Sequence, residues 1–243
     1  MRRMTESVWL RQNRPRREAP PLTRERIVAE AVALLDEEGA GRLTMRRLAE
    51  RLDTGSTTLY WHVRTKDDVL ELALDAVFGD VPIPEGGTEW RADVVALMSG
   101  WRAAMLRHPW SATILGGRPL LGPEVLARTD FLYAALATTG LTGTRLAGAA
   151  YAVANYVIGS ALMEVGAQRG DEPDADKADT QKADTDKADT EQADTEKAAE
   201  EHLARNRDRY PNLAAHGHLS GAEWDSAFVQ GLDYILDGVA RRP

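Results

Sequence analysis

The sequence predicts an all-α protein, a three-helix helix-turn-helix domain followed by a larger helical domain for ligand binding and dimerisation. Three observations carry that fold class. Apolar residues return every three or four positions in segment after segment, the period of helices buried on one face. Caps and Gly or Pro stops bracket several of those segments. No segment alternates apolar and polar residues as a half-buried strand does.

From Thr23 to Glu38, Ile27, Ala31, Leu34 and Leu35 follow the i, i+4, i+7, i+8 pattern, and Gly39 suits the helix stop. Thr44 suits the cap of a short second helix carrying Met45, Leu48, Ala49 and Leu52. Asp53, Thr54 and Gly55 form a turn, and Ser56 to His62 a third helix. Thr65 and Asp68 read as a capping box that opens a fourth helix from Lys66 to about Phe78, stopped by Gly79, Pro82 and Pro84. These elements bound a first domain over residues 23–80.

Beyond Thr88, Trp90, Val94, Leu97, Trp101 and Met105 line one stripe, which Pro109 ends. Gly122 and Pro123 precede a helix with Leu126, Leu132 and Leu136. A small-residue helix with Ala149, Val153, Val157 and Leu162 runs from Thr144 to about Gln168. Ser220 and Glu223 read as a second capping box ahead of Trp224, Phe228, Leu232, Ile235, Leu236 and Val239, a strongly amphipathic helix. The second domain spans residues 88–243. Inside it, residues 171–201 repeat a five-residue unit, beginning with Lys177-Ala-Asp-Thr-Gln181. A period of five keeps no stripe on a helix of 3.6 residues per turn, so the segment reads as a low-complexity acidic insertion. Its functional alternative is a phosphate mimic that competes for the basic arm of residues 1–22.

The net charge of -8 is misleading for a nucleic-acid binder until it is divided along the chain. Residues 1–66 hold 14 Lys or Arg against 9 Asp or Glu, whereas residues 171–201 hold 4 against 13. The first segment is therefore suited to phosphates. Its basic arm, residues 1–22, carries Arg2, Arg3, Arg11, Arg14, Arg16 and Arg17 between Pro15, Pro20 and Pro21, which favour extended chain. With no cysteine there is no disulfide and no thiolate metal site. No apolar leader precedes Pro15, so a cytoplasmic location is expected. The apolar stretches are expected to fall short of the roughly 18 uncharged residues of a membrane-spanning helix, so no membrane partner is expected. His216-Gly-His218 is the only close histidine pair and reads as a solvated loop; no metal and no cofactor is expected. Without a strand to follow, no nucleophile elbow, P-loop or dinucleotide motif is available. An enzyme remains only a remote alternative.

The strongest signal is Leu43-Thr-Met-Arg-Arg-Leu-Ala-Glu-Arg-Leu52, a turn, then Thr57-Thr-Leu-Tyr-Trp-His-Val63, then Lys66. A B-form major groove admits one helix, and a reader needs small or polar groups at that helix's N-terminus with a positioning helix beside it. Ser56, Thr57 and Thr58 fill the first role. Leu59 and Val63 pack the short helix down, which seven residues need in order to stay helical. Tyr60, Trp61 and His62 have polar tips suited to the sugar-phosphate backbone, and Arg46, Arg47 and Lys66 supply positive charge. Arg46 is also placed to read a guanine.

Leu59-Tyr-Trp-His-Val63 with Lys66, preceded by Leu43-Thr44 and the first helix, resembles the DNA-binding domain of the TetR family, close to its tetracycline repressor branch. The resemblance covers residues 23–78. It implies a DNA-contacting set of Thr44, Arg46, Ser56, Thr57, Thr58, Tyr60, Trp61, His62 and Lys66. More weakly, Leu115-Gly-Gly-Arg-Pro119, the helix around Asn155 to Met163 and the final helix resemble the same branch. By that resemblance the effector pocket falls at Leu97, Trp101, Ile114, Arg118, Asn155 and Met163, suited to a large aromatic or polyketide-like molecule. Ile114 and Met163 stand where the branch supplies a histidine and a glutamate for drug-bound magnesium, although Glu164 is adjacent; a tetracycline chelate is not expected.

The helices from Thr144 and from Ser220 have small and apolar faces suited to a four-helix homodimer interface. Such a dimer would present two heads to a palindromic operator in double-stranded DNA, with half-sites roughly 34 Å apart. Arg14, Arg16 and Arg17 would extend the footprint into a minor groove or add only nonspecific affinity. The expected function is a repressor released by a small-molecule effector. The alternative is an architectural DNA-binding protein whose C-terminal domain only dimerises.

Overall fold

In the computed structural model the residues described are 21–86, 89–169, 198, 201–216 and 223–240. The basic arm to residue 20, nearly all of the acidic repeat, His218 and Ser220 lie outside them, and so do the expectations placed there. Among the described residues there is no strand, as the periodicity requires.

α1 (Arg24–Glu38) begins where the Thr23 side chain accepts the Arg26 N–H and ends at Gly39, whose N–H donates to the Leu35 carbonyl at 2.9 Å and whose φ of 76° turns the chain out of the helix. It buries Ile27, Ala31, Leu34 and Leu35 and packs against α2 (Met45–Arg51) and α4 (Lys66–Gly79), with α3 (Ser56–Leu59) lying on α2. α3 is shorter than the sequence predicts. After Leu59 the chain tightens: the Trp61 and His62 N–H groups bond three residues back, to Thr58 and Leu59, in a 3₁₀-like turn. The capping box at Thr65 and Asp68 is present with both of its bonds.

The second domain comprises α5 (Trp90–Arg107), α6 (Pro109–Ile114), α7 (Pro123–Ala137), α8 (Gly143–Arg169), α9 (Pro211–His216) and α10 (Trp224–Ala240). Pro109 was expected to stop a helix; it also starts the next one, because a residue with no N–H and a fixed φ suits the first helical position. α5, α7 and α8 pack together, and α10 lies on α8. The expectation about apolar runs fails at α8, where residues 146–163 carry no charged side chain and Gly143–Ala167 is long and apolar enough to cross a membrane. Gly, Ala, Asn and Ser interrupt the bulky residues of this run without adding charge. Its inner stripe, Ala150, Val153, Val157, Ala161 and Val165, is buried within this chain, whereas Tyr151, Leu162 and Met163 are exposed.

Candidate DNA-reading head and its connections to the core

The reading surface rests on a fully apolar floor. Leu48, Leu59 and Val63 are buried, and burying one such side chain stabilises the head by about 1.5–3 kcal/mol. Asp53 takes the left-handed conformation in the turn (φ 50°), while Gly55 is extended and precedes α3. The turn therefore uses the tolerance of aspartate for positive φ, not that of glycine. Thr57, Thr58, Tyr60, Trp61 and His62 are all exposed and Ser56 is half-buried. Trp61 is 85% exposed and Tyr60 49%, values that exclude a role for the pair as core aromatics. Thr44 is also exposed, and its hydroxyl caps α2 by accepting the Arg47 N–H at 3.1 Å.

The basic residues of the head are not equivalent. Among the described residues Arg46 pairs only with Glu50 on its own helix, at 2.9 Å, and its side chain stays 86% exposed. Arg47 reaches back to Glu38 at 2.7 Å. Arg51 is held between Glu30, at 2.5 Å, and Glu37, so it fastens α2 to α1. Lys66 donates to the Ala40 carbonyl at 2.9 Å and ties the start of α4 to the loop after α1. Of these four, Arg46 is the one whose charge is most available to a phosphate or a base.

Four polar connections join this head to the second domain. Asp36 on α1 lies 2.8 Å from the His108 Nδ1 and accepts the Trp110 Nε1–H at 2.7 Å, at the corner between α5 and α6. Asp67 on α4 pairs with Arg118 at 2.7 Å. The other two are reciprocal. Asp75 on α4 accepts the Glu124 and Val125 N–H groups, both at 3.0 Å, and so caps α7. Arg128 on α7 donates to the Gly79 and Val81 carbonyls beyond the end of α4. Each helix satisfies orphan backbone groups of the other with charge of the favourable sign. A Cβ at Gly122 would fall 2.1 Å from the Asp75 carboxylate, so this joint requires glycine there.

The six expected pocket residues are not gathered in one cavity. Leu97 and Trp101 are buried one turn apart on α5, with Trp101 5.3 Å from the Phe78 ring at the end of α4. Ile114 is half-buried, and Arg118 is engaged by Asp67. Asn155 and Met163 lie on the exposed face of α8. The residue turned inward is Glu164, which binds Arg102 at 2.5 Å; Arg102 also pairs with Asp225 at 2.6 Å and lies 4.8 Å from the Phe228 ring. One buried guanidinium thus joins α5, α8 and the start of α10. Close by in sequence, the Trp101 Nε1 and Ser111 Oγ atoms are buried without a hydrogen-bond partner. His216 closes α9, and no cluster of three metal-ligating side chains occurs among the described residues.

Comparison with known proteins decides what this architecture is. The model of bacterial regulatory proteins of the tetR family matches residues 27–73, and that of the tetracyclin repressor-like C-terminal domain matches residues 83–242. The chain belongs to the TetR family of transcriptional regulators. A helix-turn-helix transcriptional regulator of Saccharopolyspora erythraea is 43% identical over 96% of this chain and 91% of its own length. The class D tetracycline repressor of Escherichia coli is 36% identical over 40% of this chain and 47% of its own. Among solved structures, the TetR-family protein ActR of Streptomyces coelicolor in complex with actinorhodin has a TM-score of 0.73 at 27% identity, covering 91% of this chain and all of its own. The same protein bound to (S)-DNPA gives 0.71 at 27% identity over 90% and 98%. A DNA-binding helix-turn-helix joined to a helical C-terminal domain is thus the TetR-family arrangement.

Proposed function

We propose that this TetR-family protein is a cytoplasmic repressor that binds a palindromic operator as a homodimer and releases it when a large aromatic molecule enters the C-terminal core. The observation that carries the reading is the exposed set on α2 and α3 over a buried floor, connected by four polar contacts to the helices that enclose the core. Thr44, Arg46, Arg47, Ser56, Thr57, Thr58, Tyr60, Trp61, His62 and Lys66 form the DNA set. Ser56, Thr57 and Arg46 address base edges, and the others position the head on the backbone.

Dimerisation uses the outer face of α8, with Tyr151, Leu162 and Met163, beside Val229 and Tyr234 of α10, all exposed in the single chain. Two α8–α10 pairs form a four-helix interface. Asn155 and Met163 then belong to that interface side, and Leu97, Trp101, Ile114 and Arg118 to the effector side. The unpartnered Trp101 Nε1 and Ser111 Oγ are a donor and a donor-acceptor suited to a ligand rich in carbonyl and phenolic oxygens. ActR, solved in complex with actinorhodin and with (S)-DNPA, supports a small-molecule ligand.

Release requires the effector to prefer the non-binding dimer; moving the population from 99:1 to 1:99 takes about 5.5 kcal/mol of differential binding. Arg118 and the Asp75–Arg128 joint carry a change in the core to α4, and Asp36 carries it to α1. The test is selection of bound DNA from a random library by the purified protein, then titration of the best site with and without aromatic polyketides. A palindrome bound by one dimer and released by one of these compounds is expected. Weak, sequence-blind and steeply salt-dependent binding would reject the reading.

A further inference from the structure

A surface groove runs between α1, α4 and the start of α7, about 760 Å³ in volume. Val28, Ala29, Val32, Leu72 and Ala76 give it apolar walls. A second depression of about 300 Å³ shares Arg24, Leu72, Asp75 and Pro123 with it, so the two form one continuous channel. Around this channel stand Glu25, Asp68, Glu71, Asp75, Asp80 and Glu124, with Arg24 the only cation among its lining residues. Asp68, Asp75 and Glu124 are spent on the capping box, the α7 cap and Arg128. Glu25 accepts from Thr23 and from the backbone at the start of α1, and Glu71 and Asp80 stand along the rims.

We infer that this channel seats the chain's own N-terminal arm, residues 1–20. The arm is the charge complement of the channel, six arginines against Glu6 and Glu18, and it carries an apolar triplet, Val8-Trp9-Leu10, to meet the apolar walls. The described chain starts at Pro21, and Arg24, three residues on, already lines the channel. Reach is not limiting. Ten residues lie between Leu10 and Pro21, and extended chain spans about 3.3 Å per residue, whereas Arg24 to Val32 along α1 is only about 12 Å at 1.5 Å per residue. Seated there, the arginines are held off DNA by carboxylates of the same protomer, and a duplex must displace them before they enter a groove. The arm then acts as an internal competitor that lowers nonspecific affinity.

The chain has no cysteine, so two introduced thiols give an unambiguous test in the full-length protein. Ser7→Cys with Ala29→Cys, under mild oxidation and without DNA, should form an intrachain disulfide at least about tenfold faster than Ser7→Cys with Ala137→Cys at the far end of α7, because docking raises the local thiol concentration above that of a free tether. Adding Glu71→Lys and Asp80→Lys should bring the fast rate down to the control rate. Equal rates for the two pairs overturn the inference. Cross-links formed only between chains overturn it in favour of a second copy in the channel. A fast rate that survives the charge reversals overturns the electrostatic seating. None of these outcomes depends on whether an operator or an effector is found.

Discussion

In the head, α2 and α3 turn threonines, an arginine and aromatic groups with polar tips outward over a buried Leu48, Leu59 and Val63. On α8 and α10 it is Tyr151, Leu162, Met163, Val229 and Tyr234 that stand in the open, while the buried side includes an ion pair, Arg102 with Glu164. The head is energetically complete in one chain: its outer surface is content in water and its partner is an anion. The α8–α10 face instead leaves bulky apolar groups in the open, and in the proposed dimer a second copy covers them. The head can therefore be changed outside with little effect on stability, and the second domain cannot.

The largest effect should come from the buried charge. Arg102→Met leaves Glu164 without its partner at 9% side-chain exposure, and breaking a buried pair from one side costs about 3–5 kcal/mol. Thermal unfolding should move down by about 6–20 °C for a chain of this size. If Arg102→Met with Glu164→Met recovers most of that loss, the cost was the orphaned charge. Recovery of none would show that Arg102 acts mainly through Asp225 and Phe228.

Next in size is the floor of the head. Leu59 is fully buried, and Leu59→Ala should cost about 2–5 kcal/mol. Because α3 has only four residues in regular helix, it cannot persist without that anchor. Operator affinity should disappear while sedimentation still shows the oligomeric state of the parent. Loss of oligomerisation as well would mean that head and core unfold together.

The pattern of these effects mirrors what was legible in the sequence. α1, the caps at Thr44 and Thr65 and the exposed reading set follow from local rules, since a cap and its helix lie within four residues of each other. The missing parts depend on helix phase and on distant partners. A one-residue difference separates exposed Met163 from buried Glu164, and a stripe drawn through Leu162 does not resolve it. Arg102 and Arg128 occupy helical-stripe positions otherwise filled by Val94, Met98 and Met105, and by Val125 and Leu132. An arginine at the phase of a buried stripe was the available signal for the joints between α4, α5, α7 and α8, and hydropathy passes over it. Asp36, Asp67 and Asp75 gave no signal, because exposed-looking acids on a helix are common and their partners lie between 49 and 74 residues away.

A smaller loss, about 1 kcal/mol, is expected for Thr65→Ala at the start of α4. The Thr65 hydroxyl, 2.6 Å from Asp68, and the Arg64 N–H, at 2.8 Å, hold the Asp68 carboxyl below the ordinary aspartate range. A depressed folded value means that the contribution is complete above the unfolded pKa of about 3.9 and is lost as the pH falls through the folded one. Asp68→Asn should therefore flatten the acid limb of the stability curve below about pH 4. An unchanged acid limb would exclude the capping box as its source.

The smallest structural effect and the sharpest functional one should coincide at Arg46. Its only described partner is Glu50, one turn away and itself 61% exposed, and a solvated pair of this kind adds little to stability. Arg46→Ala should leave the unfolding temperature almost unmoved. On DNA the two roles open to this arginine separate cleanly. If it reads a guanine, Arg46→Ala loses about 1–3 kcal/mol on the selected operator and relaxes preference at one base pair. If it contacts phosphate, all sequences weaken alike and the salt dependence drops by about one contact. Glu50→Ala serves as the control: it frees Arg46 of its carboxylate and should tighten binding, since the duplex no longer competes for the guanidinium. Weaker binding by Glu50→Ala would mean that the pair, and not the free arginine, is the form the head presents to DNA.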